Sequence, residues 1–315
     1  MEIDEVQYSH IPVMLYESIN GLNIKSNGIY VDCTLGGGGH SSEILRRLDE
    51  GGKLYCFDQD EYAIERGSSV LNGISNNYCV IKSNFSNLKE ELEKLGVYKV
   101  DGILYDLGVS SFQFDIKERG FSYNQEAELD MRMDTNQYLK AYDIINFWEY
   151  SELKRIFFTY GEEKYSSNIA KKICMLREKA PIKTTTELAE IIKSAIPAFA
   201  RRKGGHPAKK VFQALRIAVN DELNAFDKSL HDALTMLNKG GRIACISFQS
   251  LEDRICKQTF KEVTEVKIPK GVPIKASDIK QEYKIITNKP IVASSRELEL
   301  NNRAHSAKLR IIEKL

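Results

Sequence analysis

The most constraining feature of the chain is a short apolar run, Gly28-Ile29-Tyr30-Val31-Asp32, that ends on a carboxylate and leads through Cys33-Thr34-Leu35 into Gly36-Gly37-Gly38-Gly39-His40. A helical pattern opens at Ser41-Ser42 and places Ile44, Leu45 and Leu48 on one face. Strand, glycine turn and helix in that order make a crossover unit, and glycine lets the backbone pass close to a ligand. Four glycines in a row cost folding entropy, which disfavours a turn with no other use. Further β-rich runs follow at 53–58, 78–81 and 102–106, separated by helical patterns at 61–66 and 87–95. This alternation predicts right-handed crossovers and an α/β fold with a doubly wound, mostly parallel sheet.

After Asp106 the strand signals stop. Helical periodicity takes over at 150–160, 168–177, 186–196 and 211–226, and β-rich runs return at 242–248 and 307–312. The reading is a sheet domain interrupted by an all-helical insertion, with boundaries 1–114, 115–212 and 213–315. The Lys- and Pro-punctuated stretch 267–289 reads as an exposed loop.

At 315 residues with 42% hydrophobic content, the chain can bury one large core or two smaller ones. Its six cysteines are scattered without a CxxC pair, which argues against a zinc ribbon or a disulfide framework, and no metal site is expected. The sequence opens with Glu2, Asp4 and Glu5 and holds no apolar run of about 20 residues, so a cytoplasmic protein without membrane contact is expected. With 45 basic and 44 acidic residues, any nucleic-acid contact has to be local.

Asp58, twenty residues after Gly38, ends the second strand, where a carboxylate accepts hydrogen bonds from ribose hydroxyls. Phe85, after the third strand, can pack on an adenine or simply join the core. Two kinds of adenosine cofactor suit such a loop, a nicotinamide dinucleotide and a sulfonium methyl donor. The spacing G-x-G-x-x-G is met only trivially, by the glycine run itself in the register that starts at Gly36, and a donor without phosphate tolerates His40 at the helix start.

Longer ordered segments add to this: His10-Ile11-Pro12-Val13-Met14, Asp32 to Ser41, Asp106-Leu107-Gly108-Val109-Ser110-Ser111, Arg119-Gly120-Phe121-Ser122 and Leu129-Asp130-Met131-Arg132-Met133-Asp134. Tyr160-Gly161-Glu162-Glu163, Phe212-Gln213-Ala214-Leu215-Arg216-Ile217 and Ser250-Leu251-Glu252-Asp253-Arg254 continue the series. Through them, over nearly its full length, the chain resembles the MraW family of bacterial methyltransferases that act on cytosine N4 of small-subunit ribosomal RNA. The resemblance implies a Rossmann-like methyltransferase sheet, S-adenosyl-L-methionine as cofactor, and a donor site of Gly38, Gly39, His40, Asp58, Phe85, Asp106 and Gln113. It also implies 16S ribosomal RNA as partner, within the small subunit at the decoding region, and leaves a homodimer open. The chain departs from the family pattern at Gln249 (histidine), Asn302 (proline) and Lys210-Val211 (Arg-Thr).

Asp106 is the candidate catalytic acceptor for an amine. Other amino-methyltransferases commonly place Asp-Pro-Pro-aromatic here, and Asp106-Leu107-Gly108-Val109 keeps only the carboxylate, so a stacking platform has to come from Phe112, Phe121 or Tyr123. Ser110, Ser111 and Gln113 are candidates for the base edge or the donor's polar tail. Asp130, Arg132 and Asp134 alternate, which suits either a grip on the nucleotide by Arg132 and Asp134 or a structural ion-pair cluster. Arg201-Arg202-Lys203-Gly204-Gly205-His206-Pro207-Ala208-Lys209-Lys210 is the densest basic stretch and has the makings of a phosphate clamp through Arg201, Arg202, Lys209 and Lys210. The rival readings are an NAD-dependent oxidoreductase and a non-catalytic, donor-binding RNA chaperone.

Overall fold

The computed structural model describes residues 12–201, 205–265 and 281–315. The chain divides into two compact units, one running to Gly108 and resuming over Asn224–Leu315, the other Val109–Leu223.

The first unit is built on seven strands: β1 (Ile29–Asp32), β2 (Lys53–Asp58), β3 (Tyr78–Lys82), β4 (Val100–Asp106), β5 (Leu237–Ser247), β6 (Tyr283–Ile285) and β7 (Lys308–Lys314). Their order is β3-β2-β1-β4-β5-β7-β6. The first five pair in parallel, and β7 runs antiparallel to both β5 and β6. This is the expected doubly wound, mostly parallel Rossmann-like methyltransferase sheet. β6 lies inside the stretch expected as loop; its three residues are too few to show a strand pattern, and pairing with β7 defines it.

Alternation along the strands sorts side chains to two faces. Val31, Ile103, Tyr105, Ile243 and Cys245 join one core with Leu230 and Phe260, while Tyr30, Leu104, Ala244 and Ile246 join the other with Ile19 and Ile44. Burial on both faces is why these strands read as continuous apolar runs. The strand order reverses between β1 and β4, and the crevice beyond the carboxyl ends of strands at such a switch point is where ligands of open α/β sheets bind. Asp32, Asp58 and Asp106 are the last residues of β1, β2 and β4.

The second unit is helical, and its core is drawn from Leu153, Ile156 and Phe157, Ile169 and Ile173, Leu188 and Ile192, and Val211 and Leu215, each set at helical spacing. The helix expected over 211–226 is two helices, Lys209–Asn220 and Glu222–Met236, parted by Asp221 in the left-handed region at φ 48°. Their burial also moves the boundary expected at 212: Val211, Phe212, Ala214, Leu215 and Val219 all sit in the helical core, so the whole first helix stays with this unit. Among the described residues no helix is long and apolar enough to cross a membrane.

Candidate active site

The glycine turn is held from below by a buried knot. Asp32 is fully buried; its Oδ1 accepts from the Thr34 backbone N–H (3.0 Å), and its Oδ2 from the Ser41 hydroxyl (2.6 Å). Thr34 in turn accepts the Asp106 backbone N–H at 2.8 Å, which ties the ends of β1 and β4 together. Gly36 and Gly38 take φ +50° and +79°, and a Cβ on Gly39 would lie 2.3 Å from Pro12 Cγ. Glycine is therefore required for backbone shape at Gly36 and Gly38 and for space at Gly39.

Asp58 folds back onto this turn, its Oδ2 accepting from the Gly36 N–H (2.9 Å) and its Oδ1 from the Asp60 N–H (2.9 Å). Burial pushes its carboxyl group up to about 6, against the pull of those two backbone donors and with a further push from the neighbouring Asp60. Phe85 opens a short 3-10 turn after β3, is half-buried, and meets Tyr105 edge-on at 5.8 Å.

Asp106 is the least satisfied group of the site. Its Oδ2 lies 3.4 Å from His40 Nδ1, whereas its Oδ1 is buried without a hydrogen-bond partner. Burial drives this carboxyl group up to about 6 as well, opposed by His40 and reinforced by Asp32. His40 is 5% exposed, and its Nε2 lies 3.1 Å from the Val13 carbonyl oxygen. A buried acceptor left open costs about 1–3 kcal/mol unless a ligand completes it. The orphaned Oδ1, the positive-φ glycines and the Asp58 carboxylate at neighbouring strand ends fit a cationic donor with an adenosine tail. Gly38, Gly39, His40, Asp58, Phe85 and Asp106 all belong to this unit.

The other expected residues lie in the helical unit. Gln113 is 5% exposed and its Oε1 accepts from the Ser110 N–H (3.1 Å), while the Ser110 hydroxyl is buried without a partner. Ser111 opens the helix Ser111–Asp115; its side chain and that of Phe112 lie outside what the structure describes. Arg132 is consumed internally. Its Nε and Nη2 meet both oxygens of Asp130 at 2.8 and 2.7 Å, and its Nη1 donates to the carbonyls of Thr135 and Gln137 at 2.6 and 2.7 Å. Burial raises the Asp130 carboxyl, but the Arg132 fork outweighs it and holds the group below the usual carboxylate range. Asp134 accepts from the Asn136 N–H in a local turn. The geometry favours the ion-pair reading of this cluster over a grip on a nucleotide. Phe121 is 4% exposed and packs in the helical core, and Tyr123 stacks on His206 at 4.3 Å. Arg201, Lys209 and Lys210 are exposed, Lys210 donating to the Glu162 carbonyl at 2.9 Å; Arg202 lies outside the described residues. No group of metal-binding side chains occurs among the described residues.

Thr34, Ser41, Val13 and Glu297 shape the site without having been expected there. Asp32-Cys33-Thr34 carries a local signal, an Asp whose side chain bonds the backbone two residues on. Glu297, whose Oε1 accepts the Met14 N–H at 2.7 Å from 283 residues away, carries none.

A model of the MraW methylase family matches residues 7–315. Among solved structures, the chain is similar to a putative rRNA methylase from Clostridium thermocellum, at 13% identity over 97% of this chain and 99% of that one, with a TM-score of 0.46. It is also similar to an rRNA methylase from Streptococcus thermophilus (13%, 96% and 92%, TM-score 0.41). A putative methyltransferase from Streptococcus mutans, solved in complex with SAH, matches at 13% identity over 96% and 97%, with a TM-score of 0.44.

Proposed function

The chain belongs to the MraW methylase family, and on that premise we propose that it methylates the N4 amine of a cytidine in 16S ribosomal RNA, at the decoding region of the small subunit. Methyl transfer from S-adenosylmethionine to ribosomal RNA follows from the family. The observation that carries the choice of an amine is the orphaned Asp106 Oδ1 at the end of β4.

The N4 lone pair of cytosine is delocalised into the ring, which makes it a weak nucleophile. An acceptor that pulls on an amino hydrogen localises that lone pair, and Asp106 Oδ1 is a buried acceptor with nothing else to accept. S-adenosylmethionine, when bound, supplies a methyl group made electrophilic by its sulfonium. The Gly36–Gly39 backbone would admit it closely, Asp58 would accept from its ribose hydroxyls, and Phe85 would border its adenine. Holding amine and methyl in line supplies about 7–11 kcal/mol of barrier lowering. Asp106 then takes the proton that the nitrogen sheds.

RNA is held by the helical unit, where Lys209 and Lys210 open the helix Lys209–Asn220. Cations at a helix N-terminus oppose its dipole, so two exposed lysines there serve something other than helix stability, and Arg201 adds to them. The enzyme works in the cytoplasm on an assembling subunit. The test is incubation of the purified protein with labelled S-adenosylmethionine and immature small subunits, followed by nuclease digestion and mass spectrometry. The expected product is N4-methylcytidine; label on another base, or on none, contradicts the proposal.

A further inference from the structure

The strand-end site holds a contact that donor binding does not require. His40 is the second residue of the helix Gly39–Arg46, and both of its ring nitrogens face acceptors: Nε2 the Val13 carbonyl at 3.1 Å, Nδ1 the Asp106 Oδ2 at 3.4 Å. A carbonyl oxygen only accepts, so Nε2 carries a proton. In a neutral ring, Nδ1 would then present a bare lone pair to a carboxylate oxygen, which is repulsive. The contact therefore needs a second proton between Nδ1 and Oδ2, on either atom.

The surroundings favour that proton. Asp32 at the end of β1 interacts unfavourably with the Asp106 charge, and Glu297, on the helix Ser295–Leu300, interacts favourably with His40. Neither is free to replace His40: both Asp32 oxygens are taken by Thr34 and Ser41, and Glu297 is tied to the Met14 N–H. Two carboxyl groups, Asp106 and Glu297, thus act on one imidazole that is 5% exposed, and a third, Asp32, acts on Asp106.

We infer that His40 is a positioning residue for methyl transfer: it holds a shared proton against Asp106 Oδ2, fixes the plane of that carboxyl group, and leaves Oδ1 as the face turned to the acceptor amine. The inference rests on the reading of Asp106 as the amine's acceptor. It assigns the His40 side chain a role beyond a wall of the donor pocket, and it accounts for one Asp106 oxygen being partnered while the other is open.

Two amide replacements separate the ring's two contacts. His40→Asn places its amide nitrogen near the Nδ1 position and keeps a donor for Asp106, whereas His40→Gln reaches the Nε2 position and keeps only the Val13 contact. The expected result for His40→Gln is a single-turnover rate at saturating S-adenosylmethionine down about 100-fold, and a rate for His40→Asn about tenfold above that of His40→Gln. Nitrogen-15 NMR of the histidine rings in the donor-free protein gives a readout independent of activity. It should show His40 Nδ1 hydrogen-bonded to a carboxyl group, its signal displaced from that of a free ring nitrogen, and Asp106→Ala should abolish the displacement. A His40 Nδ1 signal that Asp106→Ala leaves unmoved overturns the inference, as does a His40→Gln variant with full rate at saturating donor. If the unaltered protein labels no RNA, the methyl-transfer reading fails while the NMR signal still decides the His40–Asp106 contact.

Discussion

Both units bury an open polar atom, the Ser110 hydroxyl in the helical one, but they differ in how the charged groups singled out from the sequence are satisfied. Around the strand ends of the sheet unit, Asp106 Oδ1, the Ser42 hydroxyl and Gln249 Oε1 are buried with no partner. In the helical unit, the charged groups that draw the eye are closed on each other: Arg132 spends its donors on Asp130, Thr135 and Gln137, and Arg216 meets both Glu222 oxygens at 2.8 Å. An open buried acceptor costs free energy until a ligand completes it, whereas a closed fork at 10% and 12% exposure secures the joint between two helices. The lesson is that spacing of charges in a sequence does not separate a ligand site from scaffolding, and completeness of hydrogen bonding does.

Substitutions should affect donor affinity in one unit and stability in the other. The largest effect is expected for Gly39→Val: with Pro12 Cγ 2.3 Å from the new Cβ, S-adenosylhomocysteine affinity by calorimetry should fall at least about 100-fold, because the loop has to move. Arg132→Ala should leave that affinity within about threefold and instead lower stability by about 2 kcal/mol in urea unfolding, since partly buried Asp130 loses its two-pronged partner and keeps only Lys140 at 3.7 Å. If it abolishes RNA binding in a protein that is still fully folded, the cluster is a nucleotide grip after all.

Asp58 gives a smaller, pH-dependent effect. Its carboxyl is raised by burial from an ordinary 3.8 to about 6, so in the donor-free protein its stabilising contribution is present below about pH 4 and lost as pH rises through 6. That contribution is worth about 3 kcal/mol, and Asp58→Asn should flatten the corresponding slope of melting temperature against pH. Donor affinity should move the other way, rising over the same window as the ionised carboxylate becomes available to the ribose. The smallest effect is in salt dependence: Lys209→Ala and Lys210→Ala should each reduce the slope of log affinity for RNA against log salt by about 1.

Much of the sheet was legible because its strands are buried on both faces and end in carboxylates next to recognisable turns. Asp32, Asp58 and Asp106 could each be placed at a strand end from the apolar run before it. The break at Asp221 was not legible: apolar periodicity continues through it, and the left-handed backbone there is stabilised by the Arg216–Glu222 fork across the break. Of the site, the glycine turn and its acidic partners were readable as local patterns. The His40–Asp106 contact and the Glu297 tether were not, because each joins residues that only the finished sheet brings together.

Asp106 carries the account, and one pair of measurements on Asp106→Ala tests it most directly: single-turnover methyl transfer to small subunits, and calorimetric binding of S-adenosylhomocysteine by the same preparation. The account predicts transfer at saturating donor reduced about 10²–10⁴-fold, a loss larger than any fall in donor affinity. Transfer at the unaltered rate would contradict it and remove Asp106 from the chemistry.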